Sequence, residues 1–87
     1  MADLTVAAET IAVHSLVKEI MWLRNFLEWL GYPQQSPTSL WCDNMGAVQN
    51  CEDGADHHKT KHLDIKYMFI REAARNGLVK IKHIGTE

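Results

Sequence analysis

The sequence predicts an α/β fold in the order helix, strand, short helix, helix, strand, arranged around a two-stranded parallel sheet. Three observations predict it. A stretch from Thr5 to Leu30 carries apolar residues at helical spacing, and a second stretch from Lys61 to Arg75 does the same. Two short apolar runs of strand length, Ser39 to Cys42 and Leu78 to Ile84, follow the two helices. Strands joined through a helical crossover of this length lie parallel, as in a βαβ unit. A sheet of only two strands is marginal in water, so it is expected to be completed by self-association.

In the first helix Val13, Leu16, Val17, Ile20, Leu23, Leu27 and Leu30 recur at helical spacing, and Gly31 followed by Pro33 supplies the stop. Trp22, Phe26 and Trp29 run down another side, so the apolar surface is wider than packing on one sheet face requires. The polar connection from Tyr32 to Pro37 cannot continue the helix. Ser39-Leu40-Trp41-Cys42 then reads as a buried strand ending at Asp43-Asn44. Asn44 to Gln49 reads as a short helix capped by Asp43 or Asn44, and Cys51 to Asp56 as a turn-prone loop. The last helix has its stripe at Leu63, Tyr67, Ile70 and Ala74, flanked by Ile65 and Phe69, and stops at Asn76-Gly77. In the final strand Val79, Ile81 and His83 alternate with Lys80 and Lys82, which gives it one wetter face.

At 87 residues there is room for one domain, spanning residues 1–87. A hydrophobic share of 46% with 23% charged residues separates the chain from disordered sequences. A net charge of −2 gives no global argument for binding nucleic acid or membranes. The two cysteines, Cys42 and Cys51, have no second pair to complete a zinc set and do not make a disulfide scaffold. No apolar run approaches a membrane span and the N-terminus lacks signal-peptide character, so the expected location is intracellular, cytoplasmic or nuclear.

Several local patterns occur together in this order. Ala8-Glu9-Thr10-Ile11-Ala12-Val13 leads into Val17-Lys18-Glu19-Ile20-Met21-Trp22-Leu23-Arg24. Leu40-Trp41-Cys42-Asp43-Asn44 closes the first strand, and His57 to Glu72 contains Thr60-Lys61-His62-Leu63-Asp64. These runs, with Gly77 to Glu87 after them, resemble the ribonuclease H domain of copia-type retrotransposon polyproteins over nearly the whole chain. The resemblance implies a ribonuclease H-like fold, a five-stranded mixed sheet with helices, that cuts the RNA strand of RNA–DNA hybrids during reverse transcription. Of that family's four catalytic carboxylates only two map here: Glu9 onto the helix Glu and Asp43 onto the Asp ending the fourth strand. The first three strands and the last Asp have no counterpart, so the expectation is a single partial domain with a truncated fold. Ala7 and Thr10 stand where the family has Glu and Tyr.

Two-metal phosphodiester hydrolysis needs a pair of Mg²⁺ (or Mn²⁺) ions held by three or four converging acids. Glu9 and Asp43 would converge on one ion, an incomplete set for two. Each also has a simpler role, Glu9 as an acid in the first turns of a helix and Asp43 as a cap. His57, His58, His62, Lys59, Lys61 and Lys66 form a basic helix start that is a solvated surface, a phosphate-contacting patch or, through His57, His62 and Asp64, a transition-metal site. Asn44, Lys59, Lys61 and His62 are the candidate nucleic-acid contacts.

Two functions of different class follow. In one, the chain is inactive alone and serves as a self-associating or protein-interaction module. In the family's sheet the fourth strand lies between the first and the fifth; without the first, Leu40 and Trp41 sit on an open edge that recruits another strand, from a second copy or another protein. Trp22, Phe26 and Trp29 would extend that interface. In the other, the chain is part of a Mg²⁺-dependent nuclease with RNA–DNA hybrid as its partner.

Overall fold

The computed structural model of the chain describes residues 2–42 and 61–84. Helix α1 (Ala2–Leu30) leads to strand β1 (Thr38–Cys42), and helix α2 (Lys61–Arg75) leads to strand β2 (Val79–His83). The strands pair in parallel from Thr38↔Val79 to Cys42↔His83, which is the predicted α/β arrangement with a two-stranded parallel sheet. The expected short helix after Cys42 lies outside the described residues.

Both helices end in the same way, and glycine is the reason. The Gly31 amide donates to the Glu28 carbonyl at 3.0 Å and the Tyr32 amide to Leu27 at 2.7 Å. In α2 the Gly77 amide donates to Ala74 and the Leu78 amide to Ala73, both at 3.0 Å. These paired reverse bonds are the Schellman closure, which needs a left-handed residue; Gly31 has φ +102° and Gly77 φ +78°. Gly77 hands the chain directly to the sheet, because the Leu78 carbonyl accepts from the Thr38 amide at 3.0 Å.

The pleat sends alternate residues of each strand to opposite faces. Leu40, Cys42, Val79 and Ile81 turn inward and pack with Val13 and Val17 of α1 and Tyr67, Ile70 and Ala73 of α2. Ser39, Trp41 and Lys80 are exposed on the other face, so the helices cover one side of the sheet. Lys82 is half-buried there because its ammonium lies over the Trp41 ring, 5.2 Å from the centroid, as its register partner.

The core takes only part of the expected α1 stripe. Val13 and Val17 are buried and Ile20 and Leu27 half-buried, but Leu16, Leu23 and Leu30 remain about half exposed. At 3.6 residues per turn these three lie on the flank of α1 away from α2, whereas Thr10 and His14 lie on the flank that meets it. In α2 the inward alanine is Ala73, and Ala74 is exposed. Thr10, the one buried polar side chain among the described residues, donates to the Val6 carbonyl at 2.8 Å and joins Tyr67 Oη at 3.0 Å.

Arg24 fixes the approach to β1. Its guanidinium donates to the Ser36 carbonyl and to Thr38 Oγ1, both at 2.9 Å, and so ties the C-terminal part of α1 to the start of the strand.

Candidate functional site

Glu9 sits in the second turn of α1, half-buried and one position before the anchored Thr10. Its carboxylate reaches the C-terminal end of β1, where the buried Cys42 thiol donates weakly to Glu9 Oε1 at 3.9 Å. Cys42 immediately precedes Asp43 in the sequence, and Asp43 itself lies outside the described residues. The fold thus brings the helix acid to the strand end from which the second candidate acid follows.

The described residues do not make a magnesium centre by themselves. No three of their His, Cys, Asp and Glu side chains come together as metal ligands. One carboxylate beside a thiol is a poor match for a hard ion that prefers several oxygen ligands. The proposed transition-metal grouping has only His62 and Asp64 within the described residues, since His57 lies outside them.

Of the candidate nucleic-acid contacts, Lys61 and His62 are exposed on the first turn of α2, and Asn44 and Lys59 lie outside the described residues. The structure gathers another cationic group that periodicity did not single out. His14 of α1 meets α2 edge-on against Phe69, with ring centroids 5.0 Å apart, and its Nδ1 lies 3.5 Å from Lys66 Nζ. Burial, then the nearby charges of Lys66, Lys18 and His62, hold the His14 pKa below its ordinary 6.5. A neutral imidazole accepting from Lys66 is the arrangement these neighbours favour.

The interface candidates separate into two places. Leu40 is buried in the core and Trp41 is 57% exposed on the open sheet face. Thr38 and Cys42 direct their backbone groups toward β2, through Thr38 N–H to Leu78 and the Cys42 carbonyl from Ile84 N–H, each at 3.0 Å. The intervening Ser39 and Trp41 therefore direct theirs to the other edge. Trp22 and Trp29 are 65% and 79% exposed, and Phe26 joins them in a stacked row with centroid separations of 5.3 and 6.2 Å. This row is on the side of α1 opposite Val13 and Val17.

Comparison with known proteins gives this geometry a context. The chain is 35% identical over 82 residues to the retrovirus-related Pol polyprotein from transposon TNT 1-94 of Nicotiana tabacum, a match covering 94% of the chain. It is 32% and 33% identical over 79 residues, 91% of the chain, to the Pol polyproteins from transposons RE2 and RE1 of Arabidopsis thaliana. The chain is homologous to one segment of retrotransposon Pol polyproteins. That segment is short: the match spans 6% of the first relative and 5% of each of the others. No family model matches the chain, and no solved structure matches it. No helix among the described residues is long and apolar enough to cross a membrane.

Proposed function

We propose that the chain is a ribonuclease H-like segment of retrotransposon origin that, as an 87-residue chain by itself, assembles with a second copy or another protein inside the cell and does not cleave nucleic acid. The observation that carries this reading is the second edge of β1, where the backbone groups of Ser39 and Trp41 face away from β2, their only sheet partner among the described residues. An edge of this kind adds a further strand through main-chain hydrogen bonds. The half-exposed Leu16, Leu23 and Leu30 flank α1 on the side away from α2, where they would roof an added strand. Light scattering after gel filtration tests it. A dimer or larger species at micromolar concentration is expected, and a monodisperse monomer would overturn the reading.

A second reading is favoured by the contact of Glu9 with Cys42 at the end of β1. It makes the chain part of a Mg²⁺- or Mn²⁺-dependent nuclease for RNA–DNA hybrids, with Glu9 and Asp43 as two of its acids. Hybrid cleavage by the chain alone, abolished by Asp43→Asn, would establish this reading in place of the first.

A further inference from the structure

The connection between α1 and β1 carries a chemical signal independent of the β1 edge and of Glu9. Ser36-Pro37 is the one place in the 87 residues where a hydroxyl amino acid is followed by proline. Tyr32 to Pro37 are all exposed and belong to no helix or strand, and Pro33 and Pro37 each fix φ. Exposed chain outside regular structure is what an enzyme cleft can take up in extended form. Proline also lacks an amide N–H, so a cleft that offers no acceptor for that group admits a Ser-Pro pair and rejects others.

A second observation lies beside the first. Arg24 meets this connection through neutral oxygens alone: the Ser36 carbonyl and Thr38 Oγ1 at 2.9 Å, and the Gln34 carbonyl at 3.5 Å. It forms no ion pair with a carboxylate among the described residues. One terminal nitrogen makes both short bonds and the other only the long contact, so guanidinium N–H donors remain for a stronger acceptor. The Thr38 hydroxyl is engaged by Arg24, whereas the exposed Ser36 meets it through its carbonyl and leaves its hydroxyl outside that set of bonds. Ser36 Oγ is four covalent bonds from the carbonyl oxygen that Arg24 already holds. A phosphate on Oγ therefore falls within reach of the same guanidinium, and phosphate takes an arginine fork in charge-assisted hydrogen bonds.

We propose that Ser36 is a phosphorylation site for a proline-directed Ser/Thr kinase and that Arg24 receives the phosphate. The γ-phosphoryl group of ATP passes to Ser36 Oγ: the Oγ–P bond forms, the P–O bond to ADP breaks, and the hydroxyl proton goes to the kinase's carboxylate base. Because Arg24 sets the approach to β1, the added dianion tightens the tie between α1 and the strand that follows. The folded 87-residue chain, incubated with ATP, Mg²⁺ and a purified proline-directed kinase of the mitogen-activated class, tests both halves. Mass spectrometry should find one added phosphate, on Ser36, with incorporation at least tenfold lower in Ser36→Ala and in Pro37→Ala. The phosphorylated chain should unfold about 4 °C or more above the unmodified one. Arg24→Gln should lose that rise, and Arg24→Lys, which keeps the charge without the fork, should retain only part of it. No incorporation, or a phosphate placed on Thr38 or Ser39 instead, would overturn the site. An unmoved or lowered Tm, or a full rise in either Arg24 variant, would overturn the role of Arg24.

Discussion

The Thr10 hydroxyl on α1 and the Tyr67 phenol on α2 meet at 3.0 Å inside the core, 57 positions apart in sequence. This contact joins the helix that carries Glu9 to the helix that feeds β2. Thr10 also bonds back to Val6, so its hydroxyl is satisfied despite full burial. Thr10→Val and Tyr67→Phe keep the shapes and remove the bond, and each is expected to cost about 1 kcal/mol. In a double-mutant cycle by urea denaturation the two losses should fall short of additivity, because both variants remove one shared bond. Full additivity would show that the hydroxyls do not interact.

The left-handed glycines make a separate prediction. Nothing lies within 4 Å of a Cβ built on Gly31 or Gly77, so a side chain there meets backbone strain and no steric block. Gly77→Ala is expected to lower stability by about 1 to 2 kcal/mol, and Gly77→Asn by less, since Asn tolerates this region better. Thermal unfolding of the two variants measures the order; an alanine variant as stable as the parent would count against the Schellman closure.

A pH dependence follows from His14. Its pKa is held below 6.5 in the fold by burial and by Lys66, Lys18 and His62, while the unfolded chain titrates near 6.5. Below that pH the unfolded state binds more protons than the native state, so His14 lowers stability as the medium is acidified. The contribution is complete above about pH 6.5 and is lost as pH falls from there through the folded pKa. Urea midpoints at pH 5 and pH 7.5 should differ less in His14→Gln than in the parent, and an unchanged difference would remove His14 as the cause.

The edge of β1 can be closed without touching the ladder. Ser39 directs its amide away from β2, so Ser39→Pro removes an outward donor and places a ring in the path of an incoming strand. The variant should keep its helical circular dichroism while its mass by light scattering falls to that of a monomer. Retained association would move the interface to the Trp22, Phe26 and Trp29 row.

Periodicity located the long elements well. Lys61 to Arg75 matches α2, β1 begins one residue before the expected Ser39, and the glycine stops coincide with Gly31 and Gly77. These features are local, written in spacing and in one residue's backbone freedom. The choice of core face was less legible, because α1 is apolar on several sides and only the position of α2 decides which side is covered. Leu16, Leu23 and Leu30 carry the same signal as Val13 and Val17 but lie on the wrong flank. Thr10 gave no apolar signal, and its burial depends on a partner far away in the sequence. At the candidate site the sequence named Glu9, and the structure added its neighbour Cys42 and the cationic seam around His14.

The outward lysines of β2 also set how far association can proceed. Two such sheets laid face to face would press Lys80 and Lys82 of one copy toward the same pair of the other, enclosing four ammonium groups in a dry layer with no counter-charge. Lateral addition at β1 carries no such penalty. Side-by-side pairing is therefore favoured over the stacked lamination that turns exposed strands into fibrils, which the sheet's own charge opposes.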